Sequence, residues 1–175
     1  MKINTAIVVG LSMLACGYTW AAAPRLTTSK TITIDASAAK VWHAAKDFNG
    51  LNTWHPALAT DEIVEGKNNT VGAVRLLTLK GGGTIKEKLL RFDPAHRSFK
   101  YAIVESVLPV SDYTSTFAVK PLGKGKSSVT WSGRFKRKNV GENPGDKEND
   151  KTAVDTIDGV YQSGLDNLKK IVEAK

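Results

Sequence analysis

The C-terminal segment, residues 152–174, most constrains the fold, because it is the only long stretch with a clean helical period. Its apolar residues recur at spacings of three and four, which places one helical face at Val154, Ile157, Tyr161, Leu165, Leu168 and Val172. Thr152 is the predicted N-cap, and Asp155 follows it in the pattern of a capping box. At about 1.5 Å per residue the helix is about 30–35 Å long. Such a rod must bury its apolar face against a large surface.

Residues 1–21 are predicted to be a secretory signal peptide. A basic start is followed by an apolar run over residues 3–18 and then by small residues suited to cleavage. We expect cleavage after Ala21, because Pro24 disfavours cleavage after the last alanine. The apolar run is short and interrupted, which argues against a stable transmembrane anchor. The mature protein is therefore expected in the periplasm or outside the cell.

Cys16 is the only cysteine of the chain, and it leaves an alternative open. Residues 13–16 resemble a weak lipobox, so the alternative to cleavage is a lipoprotein anchored through Cys16. If the signal peptide is removed, the mature chain has no thiol and depends on its hydrophobic core for stability. A single domain over residues 22–175 is long enough to supply that core.

The formal net charge of +8 favours acidic partners, anionic surfaces or anionic ligands. No nucleic-acid-binding motif accompanies it, and an exported protein is a poor candidate for that function. Residues 136–138 are three consecutive cations at the end of the last predicted strand. They are interpreted either as a docking site for an acidic protein or as protection of a strand edge. The wider basic surface has a simpler interpretation as an aid to solubility.

The chain between the signal peptide and the C-terminal helix is predicted to be mostly strands. A first strand over residues 30–35 precedes a short helix that begins at Ser37 and a helical turn over residues 51–55. Six strands follow, at residues 59–65, 72–79, 84–92, 98–105, 112–120 and 127–138. Short links imply an antiparallel sheet, and seven strands must twist and curl. The predicted α+β fold is a curved seven-stranded sheet wrapped on the C-terminal helix, with residues 139–151 as a mobile loop.

Side-chain alternation predicts an unusual concave face. Its inward set contains aromatic and polar side chains among the aliphatic ones. A glycine turn at residues 81–83 is expected to set Leu79 opposite Ile85, which leaves Arg75 close to Glu87. A buried charge must be paired or hydrated, so we predict an Arg75–Glu87 pair in a partly solvated cavity. The alternative is that both residues lie in solvent at a strand edge.

Several motifs, in this order, resemble the START-like, helix-grip (SRPBCC) superfamily. They are Val41-Trp42, Trp54-His55-Pro56, Gly72-Ala73-Val74-Arg75, Glu87, Pro109-Val110-Ser111-Asp112-Tyr113, Gly133-Arg134-Phe135 and Gly159-Val160-Tyr161-Gln162-Ser163-Gly164-Leu165. Within it the chain is similar to the polyketide cyclase/dehydrase branch, including exported MxaD-type accessory proteins of methanol oxidation. The resemblance implies a deep cavity between sheet and helix for a hydrophobic or amphipathic small molecule. The MxaD-type likeness implies a periplasmic role with a quinoprotein dehydrogenase and its cytochrome partner.

The predicted ligand-binding residues combine the inward strand faces, the helical turn and the first half of the C-terminal helix. They are Trp54, His55, Arg75, Glu87, Tyr101, Tyr113, Phe117, Trp131 and Tyr161. Gly159 and Gly164 each cost about 1 kcal/mol inside a helix, which predicts close approach of the sheet or a ligand there.

Three functions stay open at this point. The favoured one is non-catalytic binding of a hydrophobic or aromatic small molecule. The second is a cyclase or dehydratase in which Glu87 and His55 act as acid–base groups, although a structural role for His55 as a backbone cap is the preferred interpretation. The third is an accessory protein that docks an acidic redox partner. The three histidines show no ligand spacing, so no metal or cofactor is predicted.

Overall fold

The structure is a computed structural model that describes residues 23–174. The predicted signal peptide and Cys16 lie outside the described residues. Within that range, neither helix is long and apolar enough to cross a membrane.

Seven antiparallel strands form one sheet in the order β1-β7-β6-β5-β4-β3-β2. The strands are β1 (Leu26–Ile34), β2 (Leu58–Glu65), β3 (Val74–Leu79), β4 (Thr84–Asp93), β5 (Ser98–Ser106), β6 (Val110–Gly123) and β7 (Lys126–Arg137). The helices are α1 (Ala38–Ala45), a 3₁₀ turn (Leu51–Thr53) and α2 (Asp150–Glu173). The predicted helix-grip fold is confirmed.

Helix α2 buries five of the six residues of the predicted apolar face in the concavity of the sheet, at Ile157, Tyr161, Leu165, Leu168 and Val172. Val154 is half-buried, and Ala153 and Gly164 are buried in addition. The predicted N-cap was wrong. Asn149 caps the helix, and its side-chain oxygen accepts from the Thr152 backbone N–H at 2.8 Å. Asparagine and threonine both cap well, so the choice depended on where the preceding loop turns.

Helix α1 and the 3₁₀ turn close one end of the concave face. Ser37 is the N-cap of α1, as predicted, and its hydroxyl accepts from the Lys40 N–H at 3.3 Å. The helix buries Val41 and Trp42 against the sheet. The 3₁₀ turn that follows places Trp54 and His55 next to α2.

The β3–β4 register differs from the prediction by two residues. Leu77, not Leu79, lies opposite Ile85, and Arg75 pairs directly with Glu87. The turn lies at residues 80–82, one position earlier than predicted, because the Leu79 N–H bonds to the Gly83 carbonyl at 3.0 Å. A shift of two leaves every side chain on its predicted face, so the concave set is unchanged.

Strands β5 and β6 separate at one end. Their pairing stops at Ala102 and Thr114, yet β5 stays paired with β4 as far as Ser106. The start of β6 stays paired with β7. Asp112 has a positive φ of 48° at a register shift in β6, which turns the strand away from β5. The sheet therefore has a split in its wall.

Candidate ligand-binding cavity

A cavity of about 50 Å³ lies between the sheet and α2. Its wall is mostly aliphatic, with Leu77 and Ile85 from the sheet, Leu108 from the β5–β6 link, and Ile157 and Val160 from α2. This arrangement puts an apolar space beside a few polar atoms, as is typical of small-molecule sites.

Five of the nine predicted site residues line this cavity: His55, Glu87, Tyr101, Tyr113 and Trp131. The other four are buried outside its lining: Trp54, Arg75, Phe117 and Tyr161. The first half of α2 does reach the cavity, but it does so through Ile157 and Val160.

Arg75 forms the predicted ion pair and is 1% exposed, so the alternative of a solvent-exposed strand edge was wrong. Its Nε and Nη2 donate to Oε2 of Glu87 at 2.8 and 2.6 Å. Its Nη1 donates to the Phe48 carbonyl at 2.7 Å and to Asp61 Oδ2 at 3.3 Å. The guanidinium also lies over the rings of Phe48 and Tyr101, at 4.2 and 5.5 Å.

The buried cluster has two carboxylates for one guanidinium. Burial raises the pKa of Glu87 although Arg75 opposes the shift, and burial likewise raises the pKa of Asp61. One oxygen of Asp61, Oδ1, is buried with no hydrogen-bond partner among the described residues. The cluster therefore holds no surplus positive charge for an anionic ligand.

His55 is held through both ring nitrogens by backbone groups. Nδ1 accepts from the Ala57 N–H at 3.3 Å, which makes Nε2 the donor to the Val160 carbonyl at 3.0 Å. Burial lowers the pKa of His55, so the neutral ring is favoured. This geometry is that of the predicted backbone cap, and it joins the 3₁₀ turn to α2.

Three hydroxyl groups form a chain with a single direction. Ser115 Oγ donates to the Ser132 carbonyl at 2.8 Å. Because a hydroxyl has one proton, the 2.9 Å bond to Tyr161 must be donated by Tyr161. The 2.5 Å bond between the two tyrosines must then be donated by Tyr113. Burial raises the pKa of each tyrosine well above the ordinary value, so both hydroxyl groups keep their protons and can donate.

Tyr101 is the remaining hydroxyl on the cavity wall. It accepts from Trp131 Nε1 at 3.0 Å, and burial raises its pKa above the ordinary value. Hydrogen bonds with Ser115 and Tyr113 oppose this rise. Tyr101 therefore belongs to the same cluster of hydroxyl groups as Ser115 and Tyr113.

Two glycines allow the close packing that holds these rings. A Cβ on Gly164 would lie 2.6 Å from His55 Cδ2 and 2.9 Å from Trp131. A Cβ on Gly133 would collide with the Tyr161 hydroxyl. The expectation of a close approach at Gly159 was wrong, because a Cβ there would meet no atom within 4 Å. Gly159 is on the exposed face of α2, as its offset of two residues from Ile157 and from Tyr161 requires.

Sequence reasoning missed Asp61 and Leu108. Asp61 is 7% exposed and completes the Arg75 cluster. A signal was present, because Asp61 has the same strand parity as Ile63 and therefore faces the core. Leu108 lies in a link without periodicity. The loop at residues 139–151, predicted to be mobile, contributes no residue to the cavity wall.

The model of the family described as polyketide cyclase / dehydrase and lipid transport matches residues 25–173. The chain belongs to this family. Among solved structures, an uncharacterised protein from Bacillus thuringiensis shares 31% identity with it, and protein XoxI from Bacillus cereus also shares 31%.

These two structures cover most of this member of the polyketide cyclase / dehydrase family. The first has a TM-score of 0.73 over 84% of this chain and 98% of its own, and the second has 0.73 over 83% and 94%. A Thermobifida fusca protein at 23% identity shares the fold, with a TM-score of 0.69 over 83% of this chain and 92% of its own. Within residues 23–174, no three His, Cys, Asp or Glu side chains group as a metal site would require.

Proposed function

We propose that this protein is an exported, non-catalytic domain that binds a hydrophobic or aromatic small molecule between the sheet and α2. The observation that carries the proposal is the enclosed aliphatic cavity with a few convergent polar atoms at its wall. The family description, which includes lipid transport, supports the same class of ligand. Export is proposed from the signal-peptide pattern of residues 1–21.

Binding is favoured over cyclase or dehydratase chemistry by how the two candidate catalytic residues are used. An acid–base group must reach the ligand with a free atom and change its proton. Both nitrogens of His55 are bonded to backbone groups. Oε2 of Glu87 is occupied by Arg75. Neither the His55 ring nor Oε2 of Glu87 is therefore free to exchange a proton with a ligand.

The cavity must widen to admit a ring. A volume of about 50 Å³ holds a few water molecules at about 10–15 Å³ each, whereas an engineered apolar cavity that binds benzene measures about 150 Å³. The split between β5 and β6 is the part of the wall best placed to move. Ile103 lines both the cavity and a groove of about 440 Å³ on the outer side of the split. We propose that the ligand enters by displacing Ile103 and Leu108.

The binding test uses toluene as the probe and a variant that enlarges the cavity. Ile103→Ala should bind toluene more tightly than the wild type, as measured by amide NMR shifts at Leu77 and Ile85. Val104→Ala is the matched control, because Val104 is 56% exposed and lines only the outer groove. Equal toluene affinity in all three proteins would refute a cavity limited by Ile103, and equal toluene association rates would refute entry at the split. No binding by any of them would refute the proposed function.

Native mass spectrometry of protein from its own periplasm tests the rest of the proposal. We expect a retained small apolar molecule and a chain that begins after Ala21. A diacylated chain that begins at Cys16 would establish the lipoprotein alternative instead. Recovery of the chain only from the cytoplasmic fraction, with residues 1–21 still attached, would refute export.

The alternative function is an MxaD-type accessory protein that docks an acidic redox partner of a quinoprotein dehydrogenase. The net charge of +8 favours it. The cations at residues 136–138 do not favour docking, because Lys136 pairs with Asp112 at 2.8 Å and Arg137 pairs with Asp150 at 2.7 Å. Lys138 donates to the Ser106 carbonyl. Association with an acidic periplasmic protein that weakens steeply with salt would support docking, and a salt-independent affinity would refute it.

A further inference from the structure

We propose that the outer face of the sheet, opposite α2, carries a second binding site that takes the phosphate group of a polar ligand. The site is a shallow depression of about 470 Å³ over β5, β6, β7 and β1. Exposed Lys100 and Arg134 stand at its rim, and short hydroxyl side chains form its floor. The inference does not depend on the proposed function, because the depression shares no residue with the cavity wall.

The register of the sheet places these side chains in two neighbouring rows. The first row crosses four strands as Lys100, Thr116, Ser132 and Ser29. The second row crosses three strands as Thr114, Arg134 and Thr27. Strands are about 4.8 Å apart and alternate residues about 6.6 Å apart, so the backbones of the two cations are about 12 Å apart. Two long side chains can close that distance on one phosphate group between them.

The two cations of the depression are not neutralised within residues 23–174. On the same face Lys136 pairs with Asp112 at 2.8 Å, whereas neither Lys100 nor Arg134 forms a salt bridge with a described carboxylate. All lining residues are cationic or uncharged. The depression therefore has two positive charges that can attract an anion.

The hydroxyl groups of the floor supply further donors. Five of them line the depression: Thr27, Ser29, Thr114, Thr116 and Ser132. Just beyond the depression, Thr31 and Thr130 bond to each other at 2.9 Å. The five lining hydroxyls, in contrast, make no hydrogen bond to a described residue, so their protons are available to a ligand.

A phosphate group matches this set of donors. It has three peripheral acceptor oxygens and a charge of about −1.5 to −2 at neutral pH. A guanidinium binds it through two parallel hydrogen bonds, and an ammonium binds it as a point charge. A carboxylate has only two oxygens and a single charge, so it would leave more of these donors unused.

An acidic protein is a poorer match for the depression. Stable protein interfaces have an apolar core in which aromatic residues are enriched, and Trp and Tyr are prominent among their hot spots. Among the described residues, no aromatic or large aliphatic side chain lines this depression. Its lining favours a ligand that stays hydrated.

The test is an NMR titration with glycerol 3-phosphate at low salt, where electrostatic attraction is least screened. We expect saturable shifts that are confined to the depression, at Lys100, Thr114, Thr116, Ser132 and Arg134. Glycerol, which has the same carbon skeleton without the phosphate, should cause no shift at these residues.

Three double variants assign the binding to its groups. Lys100→Gln with Arg134→Gln should weaken glycerol 3-phosphate binding about tenfold or more, because both charge-assisted contacts are lost. The matched control removes the same charge at exposed Lys67 and Lys147, outside the depression, by Lys67→Gln with Lys147→Gln. It should change the affinity by less than about twofold.

The third variant, Thr114→Val with Thr116→Val, keeps the charge and the β-branched shape and removes only the hydroxyls. It should weaken binding by about threefold to tenfold. All substituted side chains are exposed or half-buried, and urea unfolding checks that each variant is folded.

Vesicles of phosphatidylcholine that contain phosphatidic acid identify the source of the phosphate group. If the protein sediments with them, and both Lys100→Gln with Arg134→Gln and added glycerol 3-phosphate abolish this, the ligand is a lipid headgroup. Binding of glycerol 3-phosphate without vesicle binding identifies a soluble phosphate ester. Either result supports the site.

Other results would overturn the inference. Shifts spread over the exposed lysines without saturation, or an equal loss of affinity in the control at Lys67 and Lys147, would show non-specific attraction to the net charge. Full affinity in the valine variant would show that the hydroxyls do not bind phosphate. If glycerol 3-phosphate does not bind, the site is wrong, and an acidic peptide that shifts the same residues would identify a protein-docking surface instead. Toluene binding in the cavity is a separate measurement, so either proposal can fail alone.

Discussion

Replacing Gly164 with alanine should destabilise the domain, while the same change at Gly159 in the same helix should stabilise it. In a helix interior, alanine is favoured over glycine by about 1 kcal/mol at either site. At Gly159 a new methyl group meets no atom within 4 Å, so the full gain of about 1 kcal/mol is expected.

At Gly164 the new methyl group would lie 2.6 Å from His55 and 2.9 Å from Trp131, well inside the usual carbon contact of about 3.5–4.0 Å. Neither ring moves freely. His55 is fixed by two backbone hydrogen bonds, and Trp131 is stacked on Tyr161 at 4.7 Å and bonded to Tyr101. Overpacking costs about 1–3 kcal/mol, and weakening the His55 bond to α2 adds about 1 kcal/mol.

The expected net effect at Gly164 is a loss of about 1–3 kcal/mol once the helix gain of about 1 kcal/mol is subtracted. Urea unfolding of both variants, extrapolated to water, measures the difference directly. In thermal unfolding each kcal/mol corresponds to about 2–4 °C for a domain of this size. A Gly164→Ala protein as stable as the wild type would refute the packing of His55 and Trp131 against α2. A destabilised Gly159→Ala protein would refute the comparison.

Three further predictions concern the core and its charges. Leu168→Ala should cost about 2–5 kcal/mol of unfolding free energy in urea, because this side chain is 0% exposed. Arg75→Met should cost about 3–5 kcal/mol by leaving two carboxylates buried without their cation, whereas Lys86→Met, at a surface pair, should change stability by under about 0.5 kcal/mol. His55→Gln tests the lowered pKa of His55. On acidification through the unfolded pKa of about 6.5, the unfolded state takes up the proton first and the wild type loses stability. The difference in unfolding free energy between the wild type and His55→Gln should therefore narrow from pH 7.5 to 5.5. A difference that widens would contradict the prediction. The same narrowing in His43→Gln would also contradict it, because His43 is exposed.

The strand faces were predictable because they depend on a local rule. Successive side chains in a strand alternate between faces, so residues such as Tyr101, Tyr113 and Trp131 were placed inward without knowledge of their partners. The β3–β4 register was off by two, yet Arg75 and Glu87 still met, because an even shift conserves parity. The cap of α2 was missed by three residues, since Asn149 and Thr152 have similar local preference for that position.

The residues 152–174 illustrate the same limit at the level of the helix. Spacing alone identified the buried stripe, because a period of about 3.6 residues is fixed by backbone geometry. The same period places Gly164, three residues after Tyr161, on that stripe and Gly159, two residues from Ile157 and from Tyr161, on the opposite face. It could not identify the partner of Gly164. That partner is His55, which comes from a turn more than one hundred positions earlier in the chain.

The sequence by itself therefore determined the fold class, the inward faces and the apolar stripe of α2, all of which follow from short-range periodicity. Only the tertiary structure decided which of those inward residues meet in the cavity. Asp61 joins Arg75, Tyr113 donates to Tyr161, and the sheet splits beside Ile103. Each depends on contacts between distant segments and on how side-chain volumes fill the space between them. For the same reason the size of the cavity, about 50 Å³, could not be predicted from the sequence pattern.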